Sequence, residues 1–265
     1  MEILKELDDY YNSYDEDGRL RSRYGMVEFL TTMRYIERYL QPGMQVLEIG
    51  AGTGRYSHDL ARKGYRVDAV ELVPHNIEIF RANTLPEEKV TVRQGNAMDL
   101  SFISGDSYDI TLLLGPMYHL YTVADQKKAL SEAIRVTKPG GVIFAAYCGN
   151  DATMVQYCFG RGMLKLERYQ QLVDFETFKA SSDPAELFQL YRKEDIDSLM
   201  ADFPVKRLHY VGTDMATNYM RQTIAEMDEE LYGLYLKYHF TICERADMVG
   251  TSHHFLDVFR KNGGK

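Results

Sequence analysis

The stretch Val46-Leu47-Glu48-Ile49-Gly50-Ala51-Gly52-Thr53-Gly54-Arg55-Tyr56-Ser57 decides the fold of this chain. It runs from a short apolar segment, typical of a buried strand, into a glycine-rich turn and then into a helix-forming segment. Glycines in such a turn permit positive φ values and let a ligand approach the main chain closely. The first N–H groups of the following helix face that ligand. The sequence therefore predicts a ligand-binding turn between a strand and a helix.

Outward from this turn, short apolar runs alternate with helical patterns. Strands are predicted at 45–50, 66–72, 90–95, 108–114, 142–148, 205–211 and 255–260, and helices at 55–63, 74–84 and, capped by Asp125, up to 137. This alternation predicts an α/β fold with a doubly wound, mainly parallel, seven-stranded sheet and helices on both of its faces. In such sheets ligands bind beyond the carboxyl ends of the strands.

The flanking regions are less regular. We expect a turn at Asp17-Gly18, a helix over about 27–40, a surface helix over 193–203 and one long helix over 217–243. The apolar stripe of that long helix, at 220–238, either packs inside the chain or forms a dimer seam. The predicted organisation is an N-terminal helical segment (1–44), a cofactor-binding core (45–150), an inserted cap (151–192), a return to the core (193–214), a helical cap (215–247) and a closing strand (248–265).

Composition narrows the function classes. The chain has 265 residues and a formal net charge of −8, so nucleic acid is disfavoured as a partner because an acidic surface repels phosphates. The N-terminus has no apolar signal region, and no run is long enough to span a membrane, so we expect a cytoplasmic protein. The expected assembly is a monomer or a homodimer. The three cysteines have no metal-like spacing, and no metal site is predicted. They are interpreted as small apolar residues, with an arsenic-binding cysteine pair or triad as the alternative.

Four further segments follow the decisive stretch in order. Glu71 ends the second strand, where a carboxylate can accept hydrogen bonds from both hydroxyls of a ribose. The other three are Gly95-Asn96-Ala97-Met98-Asp99-Leu100, Gly115-Pro116-Met117-Tyr118-His119-Leu120 and Lys138-Pro139-Gly140-Gly141. Together these segments, over about 45–148, resemble class I S-adenosylmethionine-dependent methyltransferases, and G-P-x-Y-H-L resembles motif IV of a bacterial branch acting on small molecules.

The resemblance implies a Rossmann-like fold that binds S-adenosylmethionine and releases S-adenosylhomocysteine. It implies that the glycine turn wraps the methionine part of the cofactor, that Glu48 lies near its amino group and that Asn96, standing where the family has an acid, meets the adenine. The implied cofactor-binding residues are Glu48, Gly50, Ala51, Gly52, Gly54, Tyr56, Glu71, Leu72, Asn96, Ala97, Met98, Leu114 and Gly115. Asp99 is retained, but its role is not implied by the resemblance.

Two groups of residues keep alternative interpretations. Tyr118 and His119 are candidates for substrate contact or proton removal, and His119 can equally be a structural histidine. The segment before the core contains Tyr10, Tyr11 and Tyr14 with Arg19, Arg21 and Arg23. In similar enzymes such a segment covers the cofactor, so Tyr14 and Arg23 are also candidates; the alternative is a surface helix.

The region after the core is rich in aromatic residues and methionine. These side chains either line an acceptor pocket or form the cap's own core; they are Tyr147, Tyr157, Phe159, Met163, Tyr169, Phe175, Phe178 and Tyr191. We expect methyl transfer from S-adenosylmethionine to a small-molecule acceptor, mainly by proximity and alignment. The alternatives are an NAD-dependent oxidoreductase, which the G-x-G-x-G spacing disfavours, a tRNA, rRNA or protein methyltransferase, and a non-catalytic binding module.

Overall fold

The computed structural model describes Leu7, Tyr10 and residues 16–263, without the side chains of Glu16 and Asp17. Its strands are β1 (Gln45–Ile49), β2 (Arg66–Glu71), β3 (Val90–Gln94), β4 (Tyr108–Leu113), β5 (Thr137–Gly149), β6 (Val173–Asp174), β7 (Lys179–Ala180), β8 (Leu190–Tyr191), β9 (Val205–Gly212) and β10 (His254–Lys261).

The helices alternate with these strands in the first half of the chain, and those of the second half are mostly shorter. They are α1 (Glu16–Arg21), α2 (Arg23–Glu37), α3 (Arg55–Arg62), α4 (Pro74–Asn83), α5 (Val123–Val136), α6 (Asn150–Thr153), α7 (Glu167–Gln170), α8 (Lys193–Met200), α9 (Arg221–Glu226) and α10 (Glu229–Ile242). Tighter 3₁₀ turns include Pro116–His119 and Met215–Asn218, and α6 continues into a wider π-helical turn at Met154–Phe159.

The main sheet has the order β3-β2-β1-β4-β5-β10-β9, and the short strand β8 adds to β5. Strands β1 to β5 run parallel, whereas β10 pairs antiparallel with both β5 and β9. The predicted doubly wound, mainly parallel sheet is confirmed. Because β10 runs against its neighbours, its first residue lies at the same edge of the sheet as the carboxyl ends of the parallel strands.

Alternation along β1 divides the core between the two faces of the sheet. Leu47 and Ile49 pack on the face covered by α5 and α8. Val46 packs on the opposite face, against α2 and α3. Glu48 has the same parity as Val46, so its carboxylate projects from the second face toward α3.

Two predicted boundaries are wrong, and in both cases the residue that ends or starts a helix differs from the one expected. Asp17-Gly18 lies inside α1 rather than in a turn; the chain breaks at Ser22, whose hydroxyl accepts from the Gly25 N–H and thereby caps α2. The cap of α5 is Thr122 rather than Asp125, because the Thr122 hydroxyl accepts from the Asp125 N–H.

The single long helix predicted over 217–243 is also wrong. Its span divides into a 3₁₀ turn and the helices α9 and α10, with Met227 extended between the two helices. Asp228 starts the second helix, because its carboxylate accepts from the Leu231 N–H at 2.8 Å. The break rotates most of the apolar stripe to the surface: Ile224 is buried, whereas Leu231, Leu234 and Tyr238 are about half exposed.

Intramolecular packing of the whole stripe is therefore contradicted, since only part of it reaches the core. The dimer seam stays a prediction.

Strand β5 is longer than expected, because it includes the Lys138–Gly141 segment, where Gly140 has a φ of 79° and the register with β4 shifts. Among the described residues, no helix is both long and apolar enough to cross a membrane.

Candidate active site

A cavity opens at the carboxyl edge of the sheet, where β1, β2 and β4 end; we call it the first cavity. Many residues predicted from the sequence line it. They are Glu48, Gly50, Ala51, Gly52, Tyr56, Glu71, Leu72, Asn96, Ala97, Met98, Leu114, Gly115, Tyr118 and His119. The structure therefore brings together residues that are up to 71 positions apart in the chain. Two predicted residues, Gly54 and Arg23, are not part of this lining, and Tyr14 lies outside the described residues.

The three glycines of the turn differ in the space around their α-carbons. All have positive φ, at 74° for Gly50, 54° for Gly52 and 90° for Gly54. A β-carbon on Gly50 would meet the Pro116 ring at 2.5 Å, and one on Gly54 would meet the Phe80 ring at 2.5 Å. A β-carbon on Gly52 would meet nothing within 4 Å. Gly52 thus faces open space, whereas Gly54 packs against side chains of α3 and α4.

Glu71 ends β2 and is 5% exposed. Its carboxylate accepts from the Gly52 N–H at 2.8 Å, from the Val73 N–H at 2.9 Å and from the Asn76 amide at 3.3 Å. Burial raises the pKa of Glu71, while these hydrogen bonds act to lower it. Glu71 also lines the first cavity, so a hydroxyl of a ligand bound there can reach this carboxylate.

Glu48 lies deeper, on β1. The Ser57 hydroxyl of α3 donates to it, and the carboxylate is 2% exposed. Burial raises the pKa of Glu48 to about 8. Among the described residues, the Ser57 hydroxyl stabilises the ionised carboxylate, but no cation does. A positively charged group placed beside Glu48 would restore the ionised carboxylate. The residue is therefore suited to receive an ammonium group.

The segment after β3 forms a tight turn in which side-chain oxygens accept hydrogen bonds from backbone N–H groups. The Asn96 side-chain oxygen accepts from the Met98 N–H at 2.9 Å, which leaves that oxygen one further acceptor position. Asp99 is exposed, and its carboxylate accepts from the Ser101 N–H at 3.1 Å. Asp99 does not line the first cavity, whereas Asn96 does.

Tyr118 and His119 lie on the 3₁₀ turn after β4. The Tyr118 hydroxyl donates to the Leu114 carbonyl, which fixes the ring at the cavity wall. The His119 Nδ1 donates to the Leu187 carbonyl at 2.7 Å, so the lone pair of the neutral ring is on Nε2. Burial lowers the pKa of His119 to about 4. His119 is therefore neutral and weakly basic at physiological pH.

Two arginines of the N-terminal segment take different positions, because the chain breaks at Ser22 between them. Arg19 lines the first cavity and binds the Glu28 carboxylate at 2.6 Å. Arg23 instead donates to the Met227 carbonyl and the Glu229 carboxylate. Arg23, a predicted cofactor-binding candidate, is therefore not part of the first cavity's lining, whereas Arg19, on the other side of Ser22, is. Leu7 and Leu20 also line the first cavity, so part of the N-terminal segment covers it.

A second cavity adjoins the first, and most of its lining comes from 151–192, the segment predicted to be a cap. It shares Arg19, Tyr118 and His254 with the first cavity. Aromatic and apolar side chains form much of its wall, together with two further basic residues; the wall includes Tyr10, Tyr157, Met163, Tyr169, Leu172, Phe188, Leu190, Arg221 and His253. Tyr10 packs edge-on against Phe188. Tyr11, like Tyr14, lies outside the described residues.

The aromatic residues of the cap divide between the two interpretations. Tyr147 and Tyr191 are core residues, with ring centroids 5.0 Å apart. Tyr157, Met163 and Tyr169 line the second cavity. The remaining three stack on one another near the surface: Phe159, Phe175 and Phe178.

Three ionisable residues where the cavities meet were not predicted: Glu28, Asp214 and His254. The His254 Nδ1 is 2.7 Å from Asp214 and 3.5 Å from Glu28. Glu28 comes from α2, Asp214 follows β9 and His254 starts β10. A signal existed in the sequence, because His254 immediately precedes the predicted closing strand. What was missing was the direction of that strand, which puts His254 at the ligand edge.

Comparisons with known proteins agree with this geometry. A family profile described as a methyltransferase domain matches residues 46–141. The ubiquinone biosynthesis O-methyltransferase of Methylocella silvestris is 32% identical over 148 residues, which are 55% of this chain and 55% of that protein. The S-adenosyl-L-methionine-dependent Diels-Alderase iliD of a Neonectria species is 32% identical over 39% of this chain and 38% of that protein. The chain thus spans about half, or less, of the length of these relatives.

Solved structures extend the likeness over nearly the whole fold. A SAM-dependent methyltransferase of Methanosarcina mazei superposes with a TM-score of 0.58 at 17% identity, covering 87% of this chain and 98% of that one. A Thermotoga maritima protein described as a possible histamine N-methyltransferase gives 0.58 at 18% identity, with coverages of 98% and 100%. At these identities the superpositions establish the fold.

Proposed function

We propose that this chain transfers a methyl group from S-adenosylmethionine to a small molecule, because residues 46–141 match a methyltransferase-domain profile and the proteins similar to this chain include S-adenosylmethionine-dependent methyltransferases. The observation that carries this proposal is the meeting of two cavities. The first is built from the strand ends and the glycine turn, the second lies under the cap, and Arg19, Tyr118 and His254 belong to both. A donor and an acceptor bound in these cavities would meet at the shared wall.

The residues of the first cavity fit the donor. The Glu71 carboxylate at the wall of this cavity suits the ribose hydroxyls, and Gly52 leaves open space beside it. Glu48, whose pKa is raised by burial without a cation, suits the amino group of the methionine part. We assign Leu72, Asn96, Ala97 and Met98 to the adenine side and Gly50, Ala51, Tyr56, Leu114 and Gly115 to the remainder of the donor. Once bound, S-adenosylmethionine supplies a methyl group that its positively charged sulfur has already activated.

The chain's own contribution is positioning. Holding donor and acceptor in line removes much of the entropic barrier of a two-molecule reaction. Tyr118, fixed by its hydrogen bond to Leu114, would orient the acceptor at the shared wall. His119 would keep Leu187 of the cap against the first cavity. We propose these two as positioning residues of the site.

We further propose that the acceptor is a planar hydroxyl compound that carries an anionic group, methylated on oxygen. Aromatic side chains such as Tyr157 and Tyr169 can stack on a planar ring. Arg221 adds a cation to the same wall. Relatives named as O-methyltransferases support oxygen as the acceptor atom, and the acidic net charge speaks against nucleic acid.

A labelling experiment tests the proposal. Purified chain with methyl-labelled S-adenosylmethionine and 3,4-dihydroxybenzoate, or a panel of related phenols, should yield labelled small molecules. Label appearing only on RNA or protein of a lysate would contradict the small-molecule acceptor. Binding of S-adenosylhomocysteine without any transfer would indicate that the chain uses the cofactor as a bound ligand. A rise of the melting temperature with NAD and none with S-adenosylhomocysteine would reject the cofactor itself.

A further inference from the structure

His254 occupies a position that serves both cavities. It is the first residue of β10 and pairs across the sheet with Cys148, the penultimate residue of β5. Both residues line the second cavity, and His254 also lines the first. By contrast, His119 is part of the first cavity's lining alone. The imidazole of His254 is thus at the wall where a donor and an acceptor would meet.

Asp214 holds this imidazole in one orientation. The Asp214 carboxylate accepts from the His254 Nδ1 at 2.7 Å. It is itself held by the Ser252 hydroxyl at 2.6 Å, by the His253 N–H at 2.9 Å and by the Asn218 amide. Asp214 is 1% exposed, so the bond to the ring is shielded from water. Because Nδ1 carries one hydrogen and donates it to Asp214, the remaining chemistry of the ring is at Nε2.

The other charged and titratable groups near His254 come from several elements. Glu28 of α2 lies 3.5 Å from Nδ1 and is paired with Arg19 of α1. Cys148, the cross-strand partner of His254, places a thiol beside the ring. Tyr118 lies with its ring centroid 6.4 Å from that of His254, and His253 precedes it in the chain.

These neighbours determine the charge of the ring. Burial alone would lower the pKa of His254, but the charges of Glu28 and Asp214 and the hydrogen bond to Asp214 raise it well above its usual value. Burial lowers the pKa of His253 to about 4, so that neighbour is neutral, and burial raises the pKa of Tyr118, which stays un-ionised. Two carboxylates within 3.5 Å of Nδ1 thus favour the imidazolium form of His254 before any ligand binds.

We propose that His254 is the base that removes the acceptor's proton, with Asp214 as its positioning residue, and that it becomes a base only when the sulfonium donor occupies the first cavity. The inference rests on the proposed function. His254 loses its Nε2 proton on donor binding, because a second positive charge in the adjoining cavity disfavours the imidazolium. The acceptor hydroxyl then gives its proton to Nε2 while an oxygen lone pair forms the O–CH₃ bond. The S–CH₃ bond breaks and its electron pair stays on sulfur, while the proton taken from the acceptor restores the imidazolium present before donor binding. One proton per turnover thus reaches solvent, at the donor-binding step.

A calorimetric comparison of two ligands tests this without any acceptor. S-adenosylmethionine carries a positive sulfur, whereas S-adenosylhomocysteine has a neutral one and the same amino group. Any proton released by Glu48 is therefore common to both ligands. Titrations at neutral pH in buffers of different ionisation enthalpy count the protons. We expect S-adenosylmethionine to release about one proton more than S-adenosylhomocysteine.

Variants identify the residue that releases this additional proton. His254→Asn should abolish the difference between the two ligands, and Asp214→Asn should move the difference to lower pH, because it removes a charge that favours the imidazolium. His209→Asn is a matched control: His209 pairs with Glu244 at 2.6 Å outside both cavities, and this variant should keep the difference.

The possible results distinguish a failure of the His254 role from a failure of the proposed function on which it rests. Failure of both ligands to bind the wild-type chain would overturn the proposed function together with the inference. Equal proton release by the two ligands in the wild type would overturn the role of His254 alone, and this measurement needs no variant that might misfold. Retention of the difference in folded His254→Asn would also reject the role. So would an unchanged pH profile in Asp214→Asn.

Discussion

The carboxylate of Glu71 and the backbone N–H of Gly52 are joined by a hydrogen bond of 2.8 Å between the end of β2 and the glycine turn after β1. The acid thus shapes the turn before any ligand arrives. The two parts of the sequence that predicted a nucleoside site are coupled directly, so disturbing either one should disturb the whole first cavity.

Glu71→Ala should weaken binding of S-adenosylhomocysteine. The ribose would lose its acceptor, and the Gly52 N–H would lose its partner. Because a hydrogen bond to a charged group contributes about 1.5–3 kcal/mol, the dissociation constant should rise at least about tenfold. Isothermal titration calorimetry measures this. Glu78→Gln, a change at an exposed acid on α4, is the control and should bind as the wild type does. Wild-type affinity in folded Glu71→Ala would remove Glu71 from the site.

Gly52→Val should abolish binding for a different reason. A residue at a φ of 54° must be glycine or accept strain, and a side chain at this position would project into the open space of the first cavity. Gly43→Val, at a φ of 85° beyond the end of α2 and also with open space around it, has comparable strain away from the cavity. The two variants should lose similar stability in thermal melts, but only Gly52→Val should lose S-adenosylhomocysteine.

Glu48 makes the stability of the ligand-free protein depend on pH. Its pKa is about 8 in the folded chain, above the value of about 4.3 for an unperturbed glutamate. Between these values the folded state holds a proton that the unfolded state has lost, so stability falls as pH rises, by at most about 1.4 kcal/mol per pH unit. Glu48→Gln should flatten this slope in melts between pH 5 and pH 8. A wild-type slope that the substitution leaves unchanged would show that Glu48 is ionised in the folded protein.

The cap of α10 gives a prediction about stability alone. Asp228→Ala removes the carboxylate that accepts from the Leu231 N–H, so unfolding free energy should fall by about 1 kcal/mol. Asp228→Asn keeps an acceptor and should lose less. Chemical denaturation measures both variants. A loss near zero for Asp228→Ala would mean that Arg23, which contacts the same break through the Met227 carbonyl, fixes the helix start by itself.

The sequence predicted those parts of the site that follow from local patterns. Glu48, Gly52 and Glu71 stand at or just after apolar parallel strands, and the carboxyl ends of such strands meet at one edge of the sheet. Nothing local distinguishes Arg19 from Arg23, since the choice between them depends on a helix break at Ser22.

His254 and Asp214 illustrate the other limit. They are 40 positions apart and meet because β10 runs antiparallel between β5 and β9. Periodicity predicts that a strand exists, but it contains no information on the direction in which the strand enters the sheet. The same limit applies to the second cavity, whose wall comes from irregular segments that pack on one another.

Arg221 should decide which acceptors are methylated. It lines the second cavity, with its guanidinium held by the Asn218 side-chain oxygen at 2.7 Å and stacked 4.9 Å from the Tyr24 ring centroid. Arg221→Met keeps the apolar length but removes the cation. The KM for 3,4-dihydroxybenzoate should therefore rise about tenfold or more, because one charge-assisted hydrogen bond is lost, while the KM for uncharged catechol should change by less than about twofold.

The ratio of the two KM values separates charge recognition from general damage to the cap. Arg245→Met, at an exposed arginine paired with Asp247 outside both cavities, should leave that ratio unchanged. An equal rise of the KM for both acceptors in Arg221→Met would mean that the guanidinium packs in the cavity wall but does not bind the anionic group of the acceptor. The anionic group would then be dropped from the proposed acceptor, and the planar hydroxyl compound would remain.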